Sequence, residues 1–270
     1  MMRTFPREEY EERLRRLRAV MAERAVDALI VDTCEMLDYF TGYAVSENRY
    51  RAAVIRPEGN PVMVVRKLDE QPFLNAAWFD ERRAFTDAED PVAVVAEVVG
   101  DAARVGLDLN SYCMPVKRFR HMERLLGGAE FVDLSDVLMP MRLRKSPAEV
   151  EVMRTAAAIA DEAMRRAIAA VAPGASSRDA ACVASGAFVE LGADCGRTGP
   201  ITVGRGWNFM HGRLCDAPLA EGDVLHLELV PKVHGYCARL MRPAVMGTPP
   251  AELVDAVSYT HLTLPTKRIV

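Results

Sequence analysis

Glu228 and Arg239 stand on two consecutive apolar stretches in GDVLHLELVPKVHGYCARLMRP, residues 222–243. A carboxylate can serve as a base or a nucleophile, and a guanidinium can grip a carboxylate through two parallel hydrogen bonds. Within DVLHLELV, the two-residue period of a strand puts Leu225, Leu227 and Leu229 on one face. His226, Glu228 and Val230 share the other face. A turn centred between Val233 and His234 sets Glu228 directly opposite Arg239, where cross-strand Cβ atoms are about 5 Å apart. Pro231 leaves that register open by a residue or more. Glu228 then reads as a general base, a nucleophile or a plain ion-pair partner. A facing arginine keeps it ionised, which suits a nucleophile or an anchor for a cationic substrate more than an acid. Arg239 either clamps a substrate carboxylate or serves only Glu228. His226 reads as a packed or solvated strand residue, His234 as a turn residue, and Asp223 as part of the Gly-Asp turn that launches the strand.

These strands need elements to hold them. RLRKSPAEVEVMRTAAAIADEAMRRAIAAV opens with Ser146, Pro147 and Glu149, a capping box with a proline start. Val150, Met153, Ala157 and Ala160 continue at helical spacing, so a helix is predicted to about Ala172, before Pro173-Gly174. A second helix follows over 175–193, then strands at 199–204, 223–230 and 235–245. The first half alternates strands and helices: a helix over 8–24, a strand over 26–32, and aromatic residues over 36–43 ending at a glycine turn. A hairpin over 51–67, helices near 91–102 and 115–126, and strands at 105–109 and 130–134 complete it. That alternation predicts an α/β layer domain ending near Pro140.

The chain has 270 residues and a net charge of -4, which gives no basic field for nucleic acid or anionic lipid. No stretch approaches the ~20 apolar residues of a membrane span, and the charged amphipathic N-terminus has no apolar core of a secretory signal. Cytoplasmic residence is the expectation. Six cysteines lie scattered without a CxxC pair, which reads as reduced thiols rather than zinc ligands or disulfides.

The last residues, VSYTHLTLPTKRIV (257–270), follow neither a helical nor a strand period. Their start resembles one translated frame of a transposase-type sequencing adapter. They are therefore expected to be foreign to the gene, and the chain is expected to be a shortened piece of it. His261 is set aside with them.

The junction helix RLRKSPAEVEVMRTAAAIAD, the PGASSRD turn and the run GRGWNFMH…LAEGDVLHLELVPKVHGYCARLMRP together resemble the pita-bread superfamily. That superfamily holds creatinase, Xaa-Pro aminopeptidase, prolidase and methionine aminopeptidase, and the resemblance covers nearly all of residues 8–256. It implies an α/β N-terminal domain over 1–140, followed by an incomplete α+β pita-bread domain over 141–256. In metal-dependent members, the positions of Glu228 and Arg239 hold aspartate ligands. An arginine has donors only and cannot ligate a metal. At ~4 Å from a dication and an effective dielectric of ~20, it meets roughly 8 kcal/mol of repulsion. The spacing from His211 through Gly222-Asp223 and Pro231 to Gly235-Tyr236 is creatinase-like, and metal-free ectoine hydrolases share the pattern.

The resemblance implies a hydrolase cleaving a C–N bond of a small amidino, cyclic-amidine or amide substrate without a cofactor. His211, otherwise an unremarkable loop histidine, becomes the proton shuttle. Glu228 becomes a base, nucleophile or substrate anchor, and Arg239 and Arg242 become substrate-binding candidates, Arg242 with a structural role as its alternative. The competing enzyme reading is a dipeptidase or aminopeptidase using Mn, Co or Zn, with Glu228 as a surviving ligand. A non-catalytic peptide-binding module is the reading from another class. The resemblance also implies a homodimer for the complete protein. The piece itself is expected to be inactive, because the family's later active-site histidine and glutamates lie beyond it.

Overall fold

The computed structural model describes residues 4–43, 49–205 and 209–255. The chain divides into two compact units, residues 1–148 and 149–270.

The first unit is a six-stranded mixed sheet flanked by helices. Helix α1 (Arg7–Glu23) buries Tyr10, Arg13, Leu14, Leu17 and Met21 and leaves most of its other charged residues to solvent. Strand β1 (Ala28–Val31) is buried along its whole length, and helix α2 (Cys34–Thr41) carries the aromatic stretch and closes at Gly42, φ 77°. Strands β2 (Ala52–Ile55) and β3 (Val62–Arg66) form the expected hairpin. Helix α3 (Glu70–Ala76) and strand β4 (Arg82–Phe85) follow. Helix α4 (Pro91–Val99) starts on an Asp90 cap with proline at its first position. Strand β5 (Arg104–Leu107), helix α5 (Val116–Leu125), strand β6 (Glu130–Asp133) and helix α6 (Ser135–Leu143) complete the unit.

The strand order is β4-β3-β2-β1-β5-β6, with β1 antiparallel to β2 and parallel to β5. The unit runs past the expected end at Pro140, because α6 carries that proline inside it and buries Leu138.

The second unit begins with helix α7 (Pro147–Ala169), three residues shorter than its sequence pattern suggests. Glu149, read from the sequence as the far end of a capping box, is buried and accepts a hydrogen bond from Tyr236 Oη at 2.6 Å. Helix α8 (Ser177–Glu190) has a complete capping box, with Ser176 and Asp179 satisfying each other's backbone amides. Strands β7 (Cys195–Gly204), β8 (Val224–Val233), β9 (Tyr236–Cys237) and β10 (Leu240–Val245) form the sheet β10-β8-β7, with β9 paired to β8. Leu225, Leu227 and Leu229 pack with Ala156, Ile159, Ala163, Ala184 and Phe188 of the two helices. A methyl on Gly196 would overlap the Phe188 ring, which shows how closely α8 lies on this face. The other face of β8 is therefore turned away from the helices.

Candidate active site

The turn between β8 and β9 fixes which side chains meet. His234 and Gly235 both have positive φ, 45° and 80°, the conformation of a two-residue type I′ hairpin turn. Its centre lies between His234 and Gly235, so Val233 pairs with Tyr236 and Glu228 pairs with Met241. This corrects the register expected from the sequence, in which Glu228 faced Arg239 directly. The strand residue opposite Glu228 lies two positions further on because the turn pivots one residue later.

Arg239 still reaches Glu228. Arg239 Nη2 lies 2.7 Å from Glu228 Oε1, along the diagonal available to long side chains on one sheet face. The Glu228 side chain is 9% exposed and that of Arg239 is 59% exposed. Pro231 shapes this end of the sheet. Ala238 N donates to Pro231 O at 3.3 Å, but proline has no N–H to return the bond. The strand is interrupted there, between β9 and β10, and Arg239 occupies the gap.

A bulge in β7 supports Glu228 from the other side. Thr198 pairs with Leu229 and Ile201 with Leu227, so Gly199 and Pro200 together oppose Glu228. A methyl placed on Gly199 would lie 2.9 Å from Glu228 Oε1. Glycine at this point lets the carboxylate lie against the neighbouring backbone.

The same face continues into a histidine pair. His226 is buried, and its register partners are Thr202 on β7 and Pro243 on β10. Its pKa is held below the ordinary imidazole value by burial, with the Glu228 charge opposing and the His211 charge reinforcing that shift. His211 is exposed, and its loop is laid over this face by two close contacts. A methyl on Gly212 would lie 3.0 Å from Thr202 Cγ2, and one on Gly204 would lie 2.6 Å from the Phe209 ring. Thr202 Oγ1 is buried and has no hydrogen-bond partner among the described residues.

His226, Glu228 and Arg239 thus share one face, and the His211 charge acts on His226. The structure does not bring Arg242 to them: it pairs with Leu227 on the leucine side and is exposed. Asp223 has the structural role expected of it. The Ala220 amide and the Arg205 guanidinium hold its carboxyl below the usual range, and Gly222 N and Met246 N tie its turn to the end of β10.

Arg197 is the residue of this face that sequence reasoning passed over, whereas His226 was read as a packed or solvated strand residue and is buried. Arg197 pairs with Val230, which puts it on the Glu228 face, and it is exposed. With β10 on the other side, Val230 lies between the strand positions of Arg197 and Arg239. His226 was visible two residues before Glu228. Arg197 needs the β7–β8 register, which the sequence alone does not supply.

Glu228 can hold a cation or accept a proton, His226 is neutral near pH 7, and Arg239 can exchange its partner for a substrate anion. Among the described residues, no group of three His, Cys, Asp or Glu side chains converges as a metal site. No helix among them is long and apolar enough to cross a membrane. The 257–270 tail lies outside the described residues.

Comparison with known proteins identifies the family of the chain. The chain is 26% identical over 278 residues to ectoine hydrolase of Halomonas elongata, covering 94% of this chain and 70% of that protein. It is 24% identical over 278 residues to creatinase of a Bacillus species, covering 97% of this chain and 64% of that enzyme. The prolidase of Pyrococcus horikoshii superposes with a TM-score of 0.80 at 20% identity, over 90% of this chain and 67% of that one. The chain therefore spans about two thirds of the length of these proteins. Residues 13–144 match the creatinase/prolidase N-terminal domain, and residues 151–264 match metallopeptidase family M24, a match that runs into the tail. With these two domains in this order, the chain belongs to the pita-bread superfamily of creatinases and prolidases and is a hydrolase of that family.

Proposed function

We propose that this face hydrolyses a C–N bond in a small amidino, cyclic-amidine or amide compound that carries a carboxylate, without a metal ion. The observation that carries the proposal is the 2.7 Å contact between Arg239 and Glu228 on the face away from the helices.

The family description raises the question of a divalent metal pair, and the donors here do not fit one. Glu228 Oε1 is engaged by a guanidinium, and a dication near Glu228 would meet that positive charge at close range. In the proposed reaction Glu228 takes a proton from water as the water oxygen attacks the substrate carbon. His211 gives a proton to the departing nitrogen as the C–N bond breaks. Arg239 turns to the substrate carboxylate, with Arg197 on the far side of Val230 as a second cation. Buried, neutral His226 and the unpartnered hydroxyl of Thr202 offer hydrogen bonds to the bound compound.

The similarity to ectoine hydrolase and creatinase along nearly the whole chain supports this substrate class. The prolidase-like fold favours the competing reading, a metal-dependent dipeptidase using Mn, Co or Zn. Because the chain spans about two thirds of its relatives, turnover is proposed for the whole protein that carries this site. Metal analysis of that protein tests the reading. Fewer than one divalent ion per chain, with activity that survives a chelator, supports it, and two tightly held ions overturn it. His211→Ala should abolish hydrolysis. Peptide binding that persists in a wild type with no hydrolytic activity would instead identify a binding module.

A further inference from the structure

Outside this face, one group of reactive side chains lies in the first unit, where β1 and β5 run parallel and their C-terminal ends meet. Segments 32–35 and 111–113 run side by side there. Ser111 Oγ donates to Asp32 Oδ1 at 2.6 Å, Cys34 N donates to Tyr112 Oη at 3.2 Å, and Tyr112 Oη donates to Glu35 Oε2 at 2.8 Å. Between the segments sits the buried guanidinium of Arg51, 5% exposed. Its Nη1 lies 3.7 Å from Cys113 Sγ, its Nη2 contacts Cys34 Sγ, and its Nε has no hydrogen-bond partner among the described residues. One cation thus touches two sulfurs from separate parts of the chain.

The two thiols differ in character. Cys34 is half-buried and is the first residue of α2, where the helix N-terminus adds to the Arg51 charge in favouring the thiolate. Cys113 is buried, and burial pushes its thiol up, so it stays protonated. A thiol held by a cation next to a buried protonated one is the arrangement of a reactive and a resolving cysteine.

We propose that Cys34 and Cys113 form an oxidation site, in which a hydroperoxide oxidises Cys34 and Cys113 resolves it to a disulfide. The Cys34 thiolate attacks the peroxide oxygen, breaking the O–O bond to give a sulfenic acid and releasing an alkoxide or hydroxide. Cys113 sulfur then attacks Cys34 sulfur, an S–S bond forms, and the sulfenic hydroxyl leaves with the Cys113 proton as water. The two thiols supply the two electrons that reduce the peroxide. Arg51 loses its sulfur partners in the product.

The test uses the full chain, hydrogen peroxide at near-neutral pH, alkylation of the remaining thiols and peptide mapping. The expected result is a Cys34–Cys113 linked peptide, two hydrogens lighter than the dithiol and restored by dithiothreitol. It should form at least about tenfold faster than oxidation at the exposed Cys182, Cys195, Cys215 and Cys237, which lack a buried cation shared between two sulfurs. Cys113→Ala should accumulate a dimedone-reactive sulfenic acid at Cys34, and Cys34→Ala should leave Cys113 a thiol. Arg51→Lys should keep the rate advantage and Arg51→Met should lose it. Equal oxidation of the four exposed cysteines, or a wild-type chain in which Cys113 stays a thiol beside oxidised Cys34, overturns the proposal whatever the Arg51 variants do.

Discussion

Glu228 and Arg239 meet at 2.7 Å although their backbone positions are offset by two residues across the hairpin. The pair is a diagonal one, and three local features create it. The type I′ turn at His234-Gly235 sets the register, Pro231 opens the ladder beside Ala238, and the Gly199-Pro200 bulge brings the neighbouring backbone against the carboxylate.

The bulge makes Gly199 a sensitive position. Gly199→Ala puts a methyl 2.9 Å from Glu228 Oε1, so either the carboxylate or the strand must shift. A stability loss of about 1–3 kcal/mol is expected from overpacking. Activity should fall further than stability accounts for, because the displaced group is Glu228. Paired urea titrations and initial rates check this, and a variant with unchanged rates would remove Glu228 from the chemistry.

Arg239→Asp replaces the cation on this diagonal with an acid. Mn²⁺ should then bind at least about tenfold more tightly than to the wild type, a gain of about 1.4 kcal/mol readable by calorimetry. Equal Mn²⁺ affinity in the two proteins would show that the guanidinium does not keep metal away.

His226 reports on both neighbours through its own titration. Glu228→Gln removes a charge that raises its pKa, so His226 should titrate still lower. His211→Ala removes a charge that lowers it, so His226 should titrate higher. Histidine NMR signals followed against pH give both shifts. Shifts of the opposite sign, or none, would separate the three residues.

Asp32 makes the first unit's stability depend on pH. Burial pushes its carboxyl up from 3.8 to about 6, against the lowering influence of Ser111, Tyr50, Arg118 and Arg51. The folded chain then binds a proton more tightly than the unfolded chain. Stability therefore falls as pH rises from about 4 to 6, and the penalty is full above that window. Its size is on the order of 2–3 kcal/mol. Asp32→Asn should be more stable than the wild type at pH 7.5, and the difference should close towards pH 4. Denaturant unfolding at the two pH values measures it.

Much of this was legible in the residues, for reasons that also explain what was not. The alternation of Leu225, Leu227 and Leu229 with His226 and Glu228 was enough to orient β8, because only one face can enter an apolar core. The proline start of α7 marked that helix for a similarly local reason. The hairpin register was not legible, since it depends on His234 adopting a left-handed conformation that histidine seldom takes. The β7 bulge was hidden too, because Gly199-Pro200 reads equally well as an ordinary strand start. Strand β4 escaped because RRAF is half arginine, and only its pairing with β3 makes it a strand. Arg197 was lost with the register that would have located it.

The hydrogen bond from Tyr236 to Glu149 ties the hairpin next to its turn to the first turn of α7. Three residues further on, the long stem of Arg239 projects into solvent from backbone held close to that anchor. Its charged tip can swing on side-chain bonds alone, with no strand displaced. In the proposed reaction this makes Arg239 a pivoting arm on a fixed mount, holding Glu228 until a substrate anion draws the tip aside.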